Sequence, residues 1–286
     1  MKHIPGIIAL LCLAGTAHAQ IVTSLPIDTA RQRVKGKHTL SVGSGGICYE
    51  NGKPDSMLRP FEVQFGMLDL GINSLIDNTD YSNPPFNPTF AASNDFLRVD
   101  AAHHNADLFS LRQSKSVNVN IYPVMLKMRL RSTARQRFSL ATGLGLQFYN
   151  FRFTKPITYH ADPTPYVALD TVAFSKNKLA LDYLMIPLML NGKTKLGTTG
   201  HSSWLTYGVG VSAGYLLSSR TKQISDERGK EKNHDPFNLR KTNFCINGEL
   251  GLDGYIRLYA SYQLTSLHKD NLDQHPFSIG VRFLGL

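Results

Sequence analysis

The sequence predicts an all-β fold: an eight-stranded antiparallel transmembrane β-barrel of the outer-membrane type, with long extracellular loops and short periplasmic turns. Three observations carry this. The first is the stretch Phe138 to Phe153, FSLATGLGLQFYNFRF. Phe138, Leu140, Leu144, Leu146 and Phe148 alternate with Ser139, Ala141, Gly143, Gly145 and Gln147, so an extended strand has one apolar face and one small or polar face. At about 16 residues it far exceeds the ~5–6 of soluble strands, and a strand that crosses lipid and runs on beyond it explains that length. The second is that seven further strands can be read along the chain, joined by links that run long, short, long, short, long, short, long. Extended outer loops and tight periplasmic turns give a barrel that asymmetry. The third is the start of the chain, which reads as an export signal.

That start is MKHIPGIIALLCLAGTAHAQ, with basic Lys2, a short apolar run from Ile4 to Ala14, and small residues at Ala17 and Ala19. This is the layout of a secretory signal peptide cut after Ala19. Leu11 stands where lipoprotein processing at Cys12 needs a small residue, so Cys12 leaves with the leader. Elsewhere nothing approaches the ~18 consecutive apolar residues of a membrane helix. Three segments follow: residues 1–19 as signal peptide, 20–59 as an N-terminal periplasmic extension and 60–286 as the barrel. The extension is polar and basic, with the Gly-rich run Ser41-Val-Gly-Ser-Gly-Gly-Ile47 and the turn signal Glu50-Asn-Gly52. A short strand over His38 to Ser44 is expected in it, and it either plugs the barrel or adds a strand.

The strands are then expected in order. Phe61 to Asn73 changes apolar phase, from Phe61, Val63, Phe65 and Met67 to Leu68, Leu70 and Ile72, which is the mark of a β-bulge. A loop of about 40 residues follows, holding Asn83-Pro-Pro-Phe-Asn-Pro88; its length points to function or mobility. Ser116 to Arg131 changes phase in the same way, with Pro123 at the switch, where a bulge excuses its missing N–H. The turn Ser132 to Gln136 leads into Phe138 to Phe153, whose Tyr149, Phe151 and Phe153 are expected as outer-leaflet anchors. After the loop Thr154 to Asn177 comes Lys178 to Asn191, apolar on both faces and so without an assignable lipid side. Ser203 to Ser218 alternates cleanly and is followed by the charged loop Ser219 to Arg240. Lys241 to Leu252 turns at Asp253-Gly254, a hairpin signal, into Tyr255 to Leu267, and His275 to Leu284 closes the barrel. An even strand count leaves both chain ends on the periplasmic side.

Five segments resemble the PorT-like outer-membrane β-barrel family of Bacteroidetes. They are Phe65-Gly-Met-Leu-Asp-Leu-Gly-Ile-Asn73, Gln113-Ser-Lys-Ser-Val-Asn-Val-Asn120, Thr142-Gly-Leu-Gly-Leu-Gln-Phe-Tyr-Asn-Phe-Arg-Phe153, Lys178-Leu-Ala-Leu-Asp-Tyr-Leu-Met-Ile-Pro187 and Pro276-Phe-Ser-Ile-Gly-Val-Arg-Phe283. The likeness covers the chain from about residue 60 onward, with the segments in the family's order. It implies an outer-membrane barrel whose family is defined by architecture, with a namesake branch linked to a secretion and gliding system. It supplies no catalytic residue.

The residues that could carry chemistry argue for little of it. Gly210-Val-Ser-Ala-Gly214 matches a G-x-S-x-G nucleophile elbow, yet it lies inside an alternating strand with no helix after it, so Ser212 is expected to pack in the lumen. Ser41 to Gly46 lacks the Lys-Ser/Thr and helix of a P-loop. His103 and His104 near Asp100 and Asp107, and His160 near Asp162, have no Cys partners or helical His spacing to make a metal site. Glu249 and Arg257 are expected to point inward, as are Lys127 and Arg129, and to neutralise one another in a filled lumen. Trp204, Tyr207, Tyr149 and Tyr215 sit near strand ends, where aromatic girdles meet headgroups.

No catalytic, cofactor-binding or metal residue, and no cofactor, is therefore expected. Cys48 and Cys245 are far apart, and spacing does not decide whether they pair. A formal charge of +10 meets anionic lipid and lipopolysaccharide before nucleic acid in an exported protein. The expected role is non-enzymatic, structural or in assembly, in the outer membrane of a Gram-negative bacterium, with other envelope or secretion proteins as partners. A lipid-modifying barrel enzyme and a small-solute channel are the alternatives.

Overall fold

The computed structural model describes residues 61–82, 96–161, 164–197, 203–252, 256–269 and 272–284, together with the backbone of three short strands before them, β1 (Ala30–Val34), β2 (His38–Gly43) and β3 (Gly46–Asn51). The signal peptide, the Asn83 to Pro88 run, Asp162 and the Asp253-Gly254 turn lie outside the described residues.

Eight long strands form the barrel: β4 (Phe61–Asp77), β6 (Val117–Ser132), β7 (Gln136–Arg152), β10 (Lys176–Leu196), β11 (Ser203–Ser225), β13 (Thr242–Leu252), β14 (Ile256–Gln263) and β15 (Gln274–Phe283). Each pairs antiparallel with its neighbours in the order β4-β15-β14-β13-β11-β10-β7-β6, and β6 pairs back onto β4, closing the ring. Closure removes the edges that an open sheet would present to lipid. The short strands lie in the connections on one end: β5 (Leu97–Arg98), β8 (Ile157–His160) and β9 (Tyr166–Leu169) form a small sheet, and β12 (Gly229–Asn233) folds back on β11. The N-terminal strands β1 to β3 form a meander whose last strand pairs with the start of β4 at Ile47↔Val63. The extension thus adds strands at the short-turn end, beside the position where β15 has stopped pairing with β4.

Alternation sets the outward face. Val209, Val211, Tyr215 and Leu217 on β11, Phe244, Ile246 and Leu250 on β13 and Leu258 on β14 are all well exposed. On β11 the run from Leu205 to Leu217 covers about 40 Å of strand, or about 30 Å along the normal at a ~40° tilt, which matches a hydrocarbon core. This is a membrane-spanning β-barrel of the outer-membrane type. β10, whose lipid side the sequence left open, turns Leu184, Ile186, Leu188 and Leu190 outward and buries Leu179, Leu181, Tyr183, Met185 and Met189.

Both expected phase changes exist; on β4 it comes one residue early and without a register slip in the β4–β6 ladder, whereas on β6 it is a true slip. Gly66 has φ +64°, and it is there that β4 changes phase, so Met67 is buried in the lumen rather than facing lipid with Phe65. A positive φ is a conformation that glycine adopts at no steric cost. On β6 the register with β7 slips between Ile121 and Val124, around Pro123. A further slip, between Asp182 and Tyr183 on the β10–β11 ladder, lets the upper part of β11 turn Ser219, Thr221 and Gln223 inward.

Three other expectations are corrected. Tyr149, Phe151 and Phe153 are not lipid anchors: they are almost fully buried, on the same inward parity as Gly145 and Gln147. Tyr149 stacks on Phe151 with ring centroids 5.5 Å apart. The charged segment Ser219 to Arg240 is not a plain loop, because β11 continues to Ser225 and returns as β12 in a hairpin standing above the barrel. The strand expected to reach Leu267 stops at Gln263, and Leu267 is buried at the outer end of the barrel.

Candidate functional site: the lumen and its outer cap

The lumen is stratified. Midway along it, two carboxylates and two guanidiniums form a buried chain. Arg282 Nε donates to Asp69 Oδ1 at 2.7 Å and Nη2 to Asp69 Oδ2 at 2.9 Å. Its Nη1 donates to Glu249 Oε2 at 2.6 Å, and Arg257 Nη1 donates to Glu249 Oε1 at 2.8 Å. Asn120 Nδ2 completes Asp69 at 3.1 Å. Asp69 is fully buried and the other three nearly so, and their formal charges cancel. A buried ion is tolerated when it is paired and hydrogen-bonded in this way. The sequence reading placed Glu249 and Arg257 inward and expected neutralisation; it missed Asp69 and Arg282. Their signal was available: each is a lone charge between two outward-facing apolar residues, Leu68 and Leu70, or Val281 and Phe283.

Packed in the same lumen, Met67, Tyr122, Met125, Ala141, Met185 and Met189 form an apolar cluster. The strands that enclose it press close together. A Cβ on Gly71 would lie 2.3 Å from Tyr259 Oη and 2.6 Å from the Ile279 carbonyl, so a hydrogen is all that fits. Tyr259 Oη donates to Asn118 Oδ1 at 2.7 Å, and Ser278 Oγ to Asn73 Oδ1 at 3.0 Å. Asn243 Nδ2 reaches Gln147 Oε1 at 3.1 Å across the bore. Ser212 accepts from Asn247 Nδ2 at 3.0 Å within a regular strand, so it is a packed hydroxyl without elbow geometry. Cys245 is a buried free thiol. The barrel is filled by these side chains, as its strand number requires.

At the outer end the connections build a cap. Phe96, Leu97, Leu108, Phe109, Ile157, Tyr159, Val167, Phe237, Leu239, Leu267 and Leu272 join Tyr149, Phe151, Phe153, Leu179, Leu181 and Tyr183 in one apolar core. Phe237 takes φ +46°, unusual for a bulky residue, and its buried ring packs edge-on to Tyr159 at 5.7 Å. His268 lies fully buried among Phe96, Phe109 and Tyr159, stacked on the Tyr159 ring at 6.1 Å. Neither ring nitrogen has a hydrogen-bond partner, and burial pushes its pKa down to about 3. Asp170, above the cap, is pushed up by partial burial but pulled below the usual carboxylate range on balance by the Arg228 guanidinium, which grips it at 2.7 and 2.9 Å. That pair ties the β12 hairpin to the β8–β9 hairpin.

The histidines and carboxylates weighed as metal ligands go separate ways. His103 Nδ1 contacts Asp100, Asp107 pairs with Lys155 at 2.9 Å, and His160 stacks on Tyr166 at 4.4 Å. Among the described residues no three potential ligands converge. Of the expected girdle, Tyr215 faces outward near the outer rim and Tyr207 covers Gly192 near the short-turn end, while Trp204 holds the Arg137 guanidinium 4.4 Å from its ring centroid.

No protein-family model matches this chain, and no curated protein sequence does. Among solved structures it is similar to Ail, the attachment invasion locus protein of Yersinia pestis, with 12% identity, 77% of this chain and 98% of that chain covered, and a TM-score of 0.24. The barrel assignment here rests on the closed strand ring and its apolar belt.

Proposed function

We propose that this protein is a non-enzymatic component of the outer membrane that works by contact, in envelope biogenesis or protein secretion. The observation that supports this most is the outer cap. Its hairpins are tied by the Arg228–Asp170 pair and share an apolar core with the strand ends, so the described part of the outer end is packed onto the barrel. Preformed surfaces bind without a large ordering cost. At the other end, β1 to β3 carry the barrel sheet into the periplasm, within reach of envelope proteins. The five sequence segments that resemble the PorT-like family agree with a secretion role, and lipopolysaccharide phosphates are natural company for a basic exported chain.

The test is deletion of the gene, followed by comparison of secreted proteome and surface composition, with crosslinking pull-down from the envelope to identify partners. Unchanged secretion and surface composition would remove the proposal. Two further measurements address the alternatives. Altered lipid A acylation in the deletion strain would point instead to a lipid-modifying enzyme. Steady conductance in a planar bilayer would point to a channel, which the filled lumen opposes.

A further inference from the structure

We propose that the lipid-side face of the outer rim binds a glycolipid headgroup bearing more than one phosphate, along a row of four cations set side by side on adjacent strands. This deepens the contact role proposed above and rests on that reading. Strand register makes the row: Arg152 on β7 lies opposite Lys178 on β10, Lys178 opposite Lys222 on β11, and Lys222 opposite Lys232 on β12. Residues directly opposite share a face, and this is the face that Leu184, Ile186 and Leu188 present to lipid lower on β10. Lys176 and Lys230 flank the row one step further out, on either side of Ile224. Like charges set opposite one another destabilise a sheet, and an anion lying among them removes that cost.

The described carboxylates nearby leave the row uncompensated. Asp182, on the same face, is held by Arg220 at 2.6 Å, and its pull on Lys178 is smaller than the repulsion from Lys176, Arg220 or Lys222. Glu231 stands opposite inward-turned Gln223, on the other face of β12, and it and Glu227 act on Arg228, which Asp170 already holds. Asp226 lies with Glu227 in the turn beyond β11, and the Asp235 carbonyl accepts from inward-turned Ser219. The charges acting most on Lys222 are Lys176, Lys230 and Lys232, all cations. Lys178 Nζ donates to Asn150 Oδ1 at 2.5 Å and Arg152 Nη2 to the Ser175 carbonyl at 2.8 Å, neutral partners that leave both charges in place.

Spacing and height define the ligand. Four strands about 4.8 Å apart make a row roughly 14 Å long, wider than one phosphate and matched by a headgroup carrying several. Leu184 and Leu217 are the outermost exposed apolar residues of β10 and β11, and the row stands roughly 10–15 Å above them at a ~40° tilt. A phospholipid headgroup layer is only about 5–8 Å thick, so a headgroup extended by sugars is what meets the row, with lysine stems bending down to it.

In the test, the full-length protein in zwitterionic detergent is titrated at constant ionic strength with three probes, and bound lipid is counted by native mass spectrometry. The probes are lipopolysaccharide truncated to its phosphorylated inner core, the same material dephosphorylated, and phosphatidylglycerol. The first should bind saturably and at least about tenfold tighter than the other two. Lys222→Gln/Lys232→Gln should weaken it roughly 25-fold, about fivefold per cation. Lys195→Gln/Lys269→Gln, which removes the same charge at exposed positions elsewhere, should leave it within about twofold. Asp182→Asn should tighten it, and this variant decides the matter if the lysine variant fails the heat-modifiability check on folding. Equal binding of the dephosphorylated probe or of phosphatidylglycerol, equal loss in the two lysine variants, or unchanged affinity in Asp182→Asn would overturn the proposal. The gene deletion reads the contact role separately: altered secretion without glycolipid binding would sink this site alone, and binding with unaltered secretion would sink the role alone.

Discussion

Replacing Arg282 with Met should destabilise the barrel far more than any lipid-facing substitution, and the structure sets the size of the effect. The guanidinium makes three charge-assisted hydrogen bonds, two to Asp69 and one to Glu249. Glu249 keeps Arg257 after the change, but Asp69 is left fully buried with only the neutral groups Asn120 and Tyr122 beside it. Breaking a buried pair from one side costs about 3–5 kcal/mol, which is a ~10²–10⁴-fold fall in the folding equilibrium constant. The double variant Asp69→Leu/Arg282→Met removes both charges, leaves the Glu249–Arg257 pair neutral, and should recover all but about 1 kcal/mol, because apolar groups of similar volume replace buried pairs well. The assay is reversible guanidinium unfolding in micelles followed by Trp204 fluorescence, with migration of unheated and boiled samples on a gel as a check on folding. A single variant within about 1 kcal/mol of wild type would refute the reasoning. So would a double variant as unstable as the single one, since the cost would then be lost packing rather than a stranded charge.

Three more outcomes follow from the same lumen and cap. Gly71→Val should abolish folded barrel on unheated gels, since its Cβ alone would overlap Tyr259 Oη and the Ile279 carbonyl; normal heat-modifiability would contradict it. Phe151→Ala should cost about 3–5 kcal/mol and expose the outer hairpins to protease, whereas Leu144→Ala on the lipid face should leave the protease pattern unchanged; equal sensitivity would show that Phe151 does not anchor the cap. The cap should also loosen in acid. With His268 neutral in the folded state and its pKa pushed down to about 3, an opened cap binds more protons below the ordinary value of about 6.5, so stability falls as pH drops through that window, by up to about 1.4 kcal/mol per pH unit. Hydrogen exchange of residues 264–269 should quicken from pH 7 to pH 4.5 beyond the intrinsic pH effect, and His268→Phe should flatten the dependence. An unchanged dependence in His268→Phe would assign it to another group.

What the chain alone determined is its membrane-facing half. Strand number, antiparallel order, the Pro123 bulge and the inward course of Glu249 and Arg257 all follow from period-two alternation, because every residue on such a strand meets either lipid or lumen. The same alternation already placed Tyr149 and Phe151 on the inward parity. They were expected as lipid anchors because aromatic residues near strand ends are so often girdle residues. Only the tertiary structure decided otherwise, since an inward aromatic at the outer end needs apolar partners there, and Phe109, Tyr159 and Phe237 come from three separate connections whose meeting no local pattern records. The Asp69–Arg282 pair has the same origin: its members are remote in sequence, and ring closure through β4–β6 and β4–β15 pairing brings them together. Alternation fixes which way a side chain points; closure of the ring fixes what it meets.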